Sequence, residues 1–202
     1  MNRYGRVVSI PGIILWVIGI NLTVYLALLV TRFLASGLFN DLLYFLWLLP
    51  RPHFFTQPWG LLTSVFTHYD LWHLAGNTFT LFFFGRFLAE YLGEKRFLLL
   101  YLGGGLIGSI FFVLLQDGGP AIGASGAVFA LGGALTVLQP RVKVFIIPIP
   151  VPMPLWVAVI GGFVILSLFP SVAWEAHLGG LVFGLALGYY YRQRGRRSWR
   201  NY

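Results

Sequence analysis

Three short stretches of the sequence hold residues that could catalyse acyl transfer. They run from His73 to Asn77, from Gly123 to Gly126 around Ser125, and from Ala176 to Gly180 around His177. A serine hydroxyl is a weak nucleophile and needs a base within hydrogen-bond reach. An imidazole can take the serine proton and later give it to a leaving amine. We therefore predict Ser125 as the nucleophile and His177 as the general base.

Other residues of these stretches could stabilise an oxyanion. Ser125 begins a predicted helix, so its backbone N–H lacks an acceptor within the helix and can face developing negative charge. His73 and Asn77 are four residues apart and share one helix face, from which both could donate hydrogen bonds to an oxyanion. Gly123 and Gly126 would let the backbone approach closely around the serine.

The residue types exclude several other chemistries. The chain has no cysteine, which excludes disulfides, thiolate metal sites and a cysteine nucleophile. No H-E-x-x-H pattern occurs, so a zinc protease of that type is excluded as well. The six Asp and Glu residues all lie near the ends of apolar segments, which argues against a pair of catalytic aspartates within a membrane. We therefore predict a site with no metal and no cofactor.

The elements that must position these residues are predicted to be membrane helices. The chain has 202 residues, of which 58% are hydrophobic and 10% charged, whereas a soluble domain carries about 25% charged residues. A membrane span needs ~20 apolar residues. Six apolar segments occur, at residues 10–31, 71–91, 97–115, 125–138, 155–169 and 173–191. We predict an all-α membrane protein in which residues 1–202 form one domain with six transmembrane helices.

The basic residues predict the orientation of these helices. With a cytoplasmic N-terminus, only Arg32 and Arg51 of the 14 Lys and Arg residues lie on the outer side. The others lie at the inner side: Arg3, Arg6, Arg86, Lys95, Arg96, Arg141, Lys143, Arg192, Arg194, Arg196, Arg197 and Arg200. Both termini are therefore predicted to be cytoplasmic. The net charge of +8 then reflects topology rather than binding to nucleic acid.

The same topology brings the candidate residues to one depth. Ser125 and His177 each lie roughly 15 residues before an inner basic residue, which places both ~23 Å above the inner boundary at about 1.5 Å per residue. Glycines 180, 184 and 188 form a ridge of small residues that could pack closely on Ala130 and Ala134. That contact would hold Ser125 and His177 at bonding distance.

Two regions outside the six segments are open to interpretation. Residues 32–70 are rich in Trp, Phe and Leu, and could form either an interfacial helix or a hydrophobic plug against the bundle. His53 and His68 lie outside the segments, where we expect them to be solvated or interfacial. The stretch from Pro148 to Pro154 cannot continue a helix, because proline lacks the backbone N–H.

The three stretches occur in order on the predicted second, fourth and sixth helices. In this arrangement the chain resembles the rhomboid family of intramembrane serine proteases. The resemblance spans about residues 10–191 and implies a six-helix bundle. It implies a dyad of Ser125 and His177 with no third acid. It also implies an oxyanion site formed by His73, Asn77 and the Ser125 N–H, and an entrance between the second and fifth helices under the loop near 169–172.

The sequence departs from the family pattern at three places. Many relatives have a tyrosine four residues after the nucleophile, where this chain has Phe129, which keeps the ring under the histidine and loses the hydroxyl. A Trp-Arg pair common in the first outer loop is not evident. An acidic residue late in the second helix is usual, and Glu90 is offset from the expected place by one residue.

The resemblance implies an endopeptidase that cuts transmembrane segments of other proteins near the outer face, with the lipid bilayer as its surroundings. One alternative is a non-catalytic relative that binds or dislocates membrane proteins. A second alternative is a b-type haem protein with His73 and His177 as axial ligands. With no cysteine and no recognisable transit peptide, we expect a multi-pass protein of a prokaryotic cell membrane.

Overall fold

The computed structural model describes residues 10–51, 53–116, 118–146 and 149–199. Within them the chain is mostly helical. The α-helices are α1 Gly12–Leu34, α2 Ser36–Leu46, α3 Gly60–Thr63, α4 Leu71–Leu92, α5 Glu94–Leu115, α6 Ser125–Leu138, α7 Leu155–Ser167 and α8 Trp174–Trp199. Two short 3-10 helices, His53–Thr56 and Ser64–Phe66, flank α3. Arg3, Arg6 and Arg200 of the charge pattern lie outside the described residues, as does Pro148.

Helices lie at all six predicted segments; α6 has the predicted bounds, and the other five are shifted at one or both ends. The helix predicted to begin at residue 97 is α5, which begins at Glu94 directly after Gly93. Gly93 has a φ of 88°, a conformation that ends α4 and that glycine adopts without a steric penalty. Among the described helices, α1 and α5 are long and apolar enough to cross a membrane, while α6 and α7 are shorter apolar helices. The count of six spans therefore remains a prediction.

The all-α prediction is wrong at the proline-rich stretch, which forms a β-hairpin. Strand β1, Lys143–Ile146, pairs antiparallel with β2, Ile149–Pro154, and the pairing includes a bulge. Prolines recur at every second position of β2. Because neighbouring N–H groups of a strand point to opposite edges, the missing N–H groups fall on one edge and the other edge can still pair.

The centre of the bundle is α6, which α5 and α8 enclose. Most of its residues are buried, and small side chains allow close contact of the helix backbones. A Cβ on Gly184 would overlap the Ala130 backbone, and a Cβ on Gly188 would lie 2.8 Å from the Ala134 Cα atom. The predicted packing of the glycine ridge on Ala130 and Ala134 is thus confirmed, and it fixes the distance between α6 and α8.

Residues 32–70, which the predicted topology makes the first outer loop, combine features of both interpretations. Leu43, Leu48 and Leu49 are buried, as a plug would be, while Phe55 and Trp59 are exposed, as residues of an interfacial segment would be. Helix α2 and the short helices around α3 supply this arrangement. The buried part packs against the chain just before α6, and it therefore bears directly on the candidate site.

Candidate active site

Ser125 and His177 are hydrogen-bonded to each other. The Ser125 Oγ atom lies 2.7 Å from Nε2 of His177, although the two residues are 52 positions apart in the chain. Ser125 is the first residue of α6, and His177 lies in the first turn of α8. His177 is 5% exposed. The contact is compatible with the predicted roles, because Nε2 can accept the proton of the hydroxyl.

The other ring nitrogen of His177 has no third residue beside it, among those described, to orient the ring. Nδ1 is buried and has no hydrogen-bond partner in the part of the chain that the structure describes. Instead, the imidazole is held by ring packing. The Phe129 ring lies 4.6 Å from it at an interplanar angle of 34°, and Phe163 of α7 packs on the edge of Phe129. Phe129 therefore keeps the ring contact expected at its position.

The backbone just before Ser125 is fixed by the first outer loop. Leu48 and Ala121 exchange two backbone hydrogen bonds, of 3.0 and 2.9 Å. The N–H of Gly123 donates to the Ser64 carbonyl at 2.9 Å. Gly123 has a φ of 119°, which strongly favours glycine, and a Cβ there would overlap the His73 ring. Ser125 thus begins α6 from a firmly held turn.

Gly126 gives α8 close access to the start of α6. A Cβ on Gly126 would lie 3.1 Å from the Ala176 carbonyl oxygen, and a Cβ on Gly180 would overlap the Gly126 carbonyl. The small residues on both helices allow the backbones to meet directly beside the dyad. At both Gly123 and Gly126 a Cβ would come closer to its neighbours than ordinary van der Waals contact.

The two predicted side-chain oxyanion donors lie at the same end of α4. Asp70 caps this helix by accepting from the Trp72 and His73 N–H groups, each at 2.9 Å. The His73 Nε2 atom faces Gly123, two residues before Ser125. The Asn77 Nδ2 atom donates to the His73 carbonyl at 3.1 Å and lies 3.2 Å from Nε2 of His68. In this structure, both Asn77 hydrogens therefore have acceptors within the protein.

The expectation that His68 is solvated or interfacial is wrong. His68 is 2% exposed, and its Nε2 accepts from the Ala124 N–H at 3.4 Å besides contacting Asn77. Its ring packs edge-on against His73 at a centroid distance of 5.0 Å. Burial lowers the pKa of His68 to about 3, and the neighbouring His73 acts in the same direction. His53, by contrast, is exposed, as expected.

A sequence signal for His68 existed. It lies two residues before Asp70, a residue type that caps helices, and so enters the same end of the helix that carries His73 and Asn77. His68 lies outside the apolar segment at residues 71–91, and this position alone favours exposure to solvent. The loop instead folds back onto the bundle, which buries it.

No group of three or more His, Asp or Glu side chains that could hold a metal ion occurs among the described residues. The Nε2 atom of His177, one of the two haem ligands of the second alternative, is hydrogen-bonded to the Ser125 Oγ atom. Glu90 forms an exposed ion pair with Arg86 at 2.9 Å, one turn earlier on α4. It takes no part in the arrangement around Ser125.

Comparison with known proteins matches residues 56–194 to the model of the Rhomboid domain. The chain belongs to the rhomboid family. It is 33% identical over 195 residues to Rhomboid protein 1, mitochondrial, of Saccharomyces cerevisiae, with 78% of this chain and 54% of that protein covered. It is 36% identical over 129 residues to Rhomboid protease GluP of Bacillus subtilis, covering 62% of this chain and 24% of that protein.

A third relative widens the range of organisms. RHOMBOID-like protein 1 of Arabidopsis thaliana is 31% identical over 146 residues, covering 72% of this chain and 37% of that protein. This rhomboid chain thus spans about half or less of the length of these relatives. The match to the Rhomboid domain includes α4 to α7, most of α8 and all the site residues. Because mitochondrial and plant proteins stand beside a bacterial one, the relatives do not support the prediction of a prokaryotic cell membrane.

Proposed function

We propose that this rhomboid is an intramembrane serine endopeptidase that cleaves transmembrane segments of membrane proteins near the outer face. The observation that carries the proposal is the 2.7 Å contact between the Ser125 Oγ and His177 Nε2 atoms in a largely buried site. The printed name of one relative, Rhomboid protease GluP, agrees with it. The substrate would be a membrane-embedded helix with a locally unwound peptide bond, because a helical carbonyl is already hydrogen-bonded and shielded.

The proposed reaction follows from the positions of the two side chains. Ser125 Oγ attacks the substrate carbonyl carbon while His177 Nε2 takes its proton. The proton then passes from Nε2 to the leaving amine as the peptide C–N bond breaks, which leaves an acyl ester on Ser125. Water, with His177 again as the base, attacks the ester and releases the acid. The dyad ends in its starting protonation state.

The oxyanion of each tetrahedral intermediate would be met by donors around the start of α6. We assign this role to the Ser125 N–H, the His73 imidazole and the Asn77 carboxamide. Support comes from the helix N-terminus, where N–H groups lack acceptors within the helix, and from the Nε2 atom of His73 beside Gly123. Asn77 would exchange one of its two internal acceptors for the oxyanion. Removing one such donor typically lowers the rate ~100- to 1,000-fold.

We also propose the membrane arrangement that this function needs. Residues 1–202 would form one domain with six spans, corresponding to α1, α4, α5, α6, α7 and α8, and both termini would be cytoplasmic. The distribution of basic residues supports this orientation. The N-terminal ends of α4, α6 and α8, which carry the site, would then face the outer side. The proposed entrance lies between α4 and α7.

A fluorophosphonate probe tests the function directly, because it forms a bond only with an activated serine. Purified protein in detergent and in liposomes should be labelled, whereas Ser125→Ala and His177→Ala should not, and His53→Ala, an exposed histidine, should label like the native protein. Labelling that survives Ser125→Ala would overturn the mechanism. No labelling of folded native protein would favour a rhomboid that binds membrane proteins without cleaving them. A Soret band in the purified protein would favour the haem alternative.

A further inference from the structure

The buried residue His68 contacts Asn77 and Ala124 of the candidate site and takes no part in the proposed proton transfers. The Nε2 atom of His68 lies 3.2 Å from the Asn77 Nδ2 atom and 3.4 Å from the Ala124 backbone nitrogen. One of these donors belongs to α4 and the other immediately precedes Ser125. A single ring nitrogen therefore joins the carboxamide assigned to the oxyanion with the backbone that presents the nucleophile.

The chemistry of the contact fixes the form of the ring. Both neighbours of Nε2 can donate a hydrogen, and a backbone N–H can do nothing else, so Nε2 must be the unprotonated nitrogen. Its single in-plane lone pair is then shared by two donors at long distances. Burial favours the neutral ring that this arrangement requires, because it lowers the pKa of His68 to about 3.

Sharing the lone pair has a consequence for the reaction. When an oxyanion forms, one Asn77 hydrogen can turn to it, and the Ala124 N–H then holds the His68 nitrogen alone. No buried acceptor is left without a partner during this exchange, which keeps its cost low. The second Asn77 hydrogen remains on the His73 carbonyl, so the nitrogen of the carboxamide, rather than its oxygen, continues to face the site.

We infer that His68 is a positioning residue of the proposed reaction: its Nε2 atom holds the Asn77 carboxamide ready for the oxyanion and ties it to the segment that carries Ser125. The inference rests on the proposed function. His68 would touch neither the substrate nor the reacting atoms, and it would act through Asn77 and Ala124. It lies outside the described helices, between the 3-10 helix Ser64–Phe66 and α4.

The test replaces the acceptor while keeping a ring. His68→Phe should lower the maximal rate of fluorophosphonate labelling about 10- to 100-fold, the loss typical when the residue that orients a metal ligand is removed, and should leave the probe concentration at half-maximal rate unchanged. His68→Gln, whose side-chain oxygen can accept at a similar reach, should restore much of that rate. His53→Phe is the matched control, since His53 is an exposed histidine of the same loop. Thermal unfolding shows that each variant is folded.

A double-mutant cycle separates positioning from a merely structural role. In the Asn77→Ala background, His68→Phe should cost much less than in the native protein, because the carboxamide it holds is gone. If His68→Phe lowers the labelling rate by the same factor in both backgrounds, or lowers the melting temperature and the labelling rate together without rescue by Gln, the inference is wrong. Failure of the proposed function looks different, because the native protein would then not react with the fluorophosphonate at all.

Discussion

The spacing of α6 and α8 should control the reactivity of Ser125, and Gly184→Ala tests this most sharply. Gly184 lies two turns after His177 on α8 and faces Ala130 on α6. A Cβ built on Gly184 would lie 2.6 Å from the Ala130 carbonyl carbon and 2.7 Å from its Cα atom, besides overlapping the carbonyl oxygen. All three atoms are backbone, so no side-chain rotation can relieve the contact.

The structure gives the size of the effect. Carbon atoms in contact sit about 3.5 Å or more apart, so the two helices must separate by ~0.9 Å. If the displacement is carried along the helices to the dyad, the 2.7 Å contact between Ser125 and His177 becomes about 3.6 Å, which is no longer a hydrogen bond. A misplacement of about 1 Å can cost ~100-fold in rate. Overpacking should also lower the free energy of unfolding by about 1–3 kcal/mol.

The assay is the rate of fluorophosphonate labelling, measured beside thermal unfolding in the same detergent. Gly19→Ala is the matched control, because nothing lies within 4 Å of a Cβ at that helical glycine of α1. Adding Ala130→Gly to Gly184→Ala should not restore the rate, since the clash is with backbone. A folded Gly184→Ala protein that labels at the native rate would refute the reasoning that helix spacing sets the dyad distance.

Three further predictions concern the surroundings of the dyad. Gly123→Ala should abolish labelling, because its φ is 119° and a Cβ would displace the His73 ring; native labelling would contradict the role of this turn. Phe129→Tyr should keep the native rate to within several-fold because it keeps the ring on His177. Phe129→Leu should be slower, and equal rates for the two variants would count against ring packing. Burial lowers the pKa of His68 to about 3 in the folded chain. Between about pH 6.5 and 3, the unfolded chain therefore binds a proton at His68 that the folded chain does not bind. The free energy of unfolding should fall as the pH drops through this window. As the pH is lowered, the melting temperature of His68→Gln should fall less steeply than that of the native protein. An equal slope for the two proteins would contradict the role of His68 in this pH dependence.

The sequence predicted most of the helices because a long apolar run is a signal that can be read from one segment alone. An apolar run that lies in lipid would have to satisfy its own backbone hydrogen bonds, which favours a helix at each of the six segments. The β-hairpin after α6 was not predicted, since proline at alternate positions excludes a helix without indicating what forms instead. Pairing of Lys143 with Pro154 depends on the partner strand, which no local signal specifies.

The candidate site was predictable in its residue types and shared depth. Ser125 and His177 follow from chemistry and from their distance to the inner basic residues, since both quantities are read along the chain. The 2.7 Å contact itself is a tertiary result, because it depends on how closely the small residues of α6 and α8 let two backbones approach. The sequence could show that the glycine ridge permits this approach and could not give its distance.

His68 shows most clearly what only the tertiary structure decided. By itself, the sequence determined that this is a largely apolar helical chain, with a serine, two histidines and an asparagine at the ends of three segments. Exposure of a loop residue is not a local property, because it depends on whether the loop folds away from the bundle or back onto it. Here the first outer loop folds back, and burial makes His68 an acceptor shared by Asn77 and Ala124.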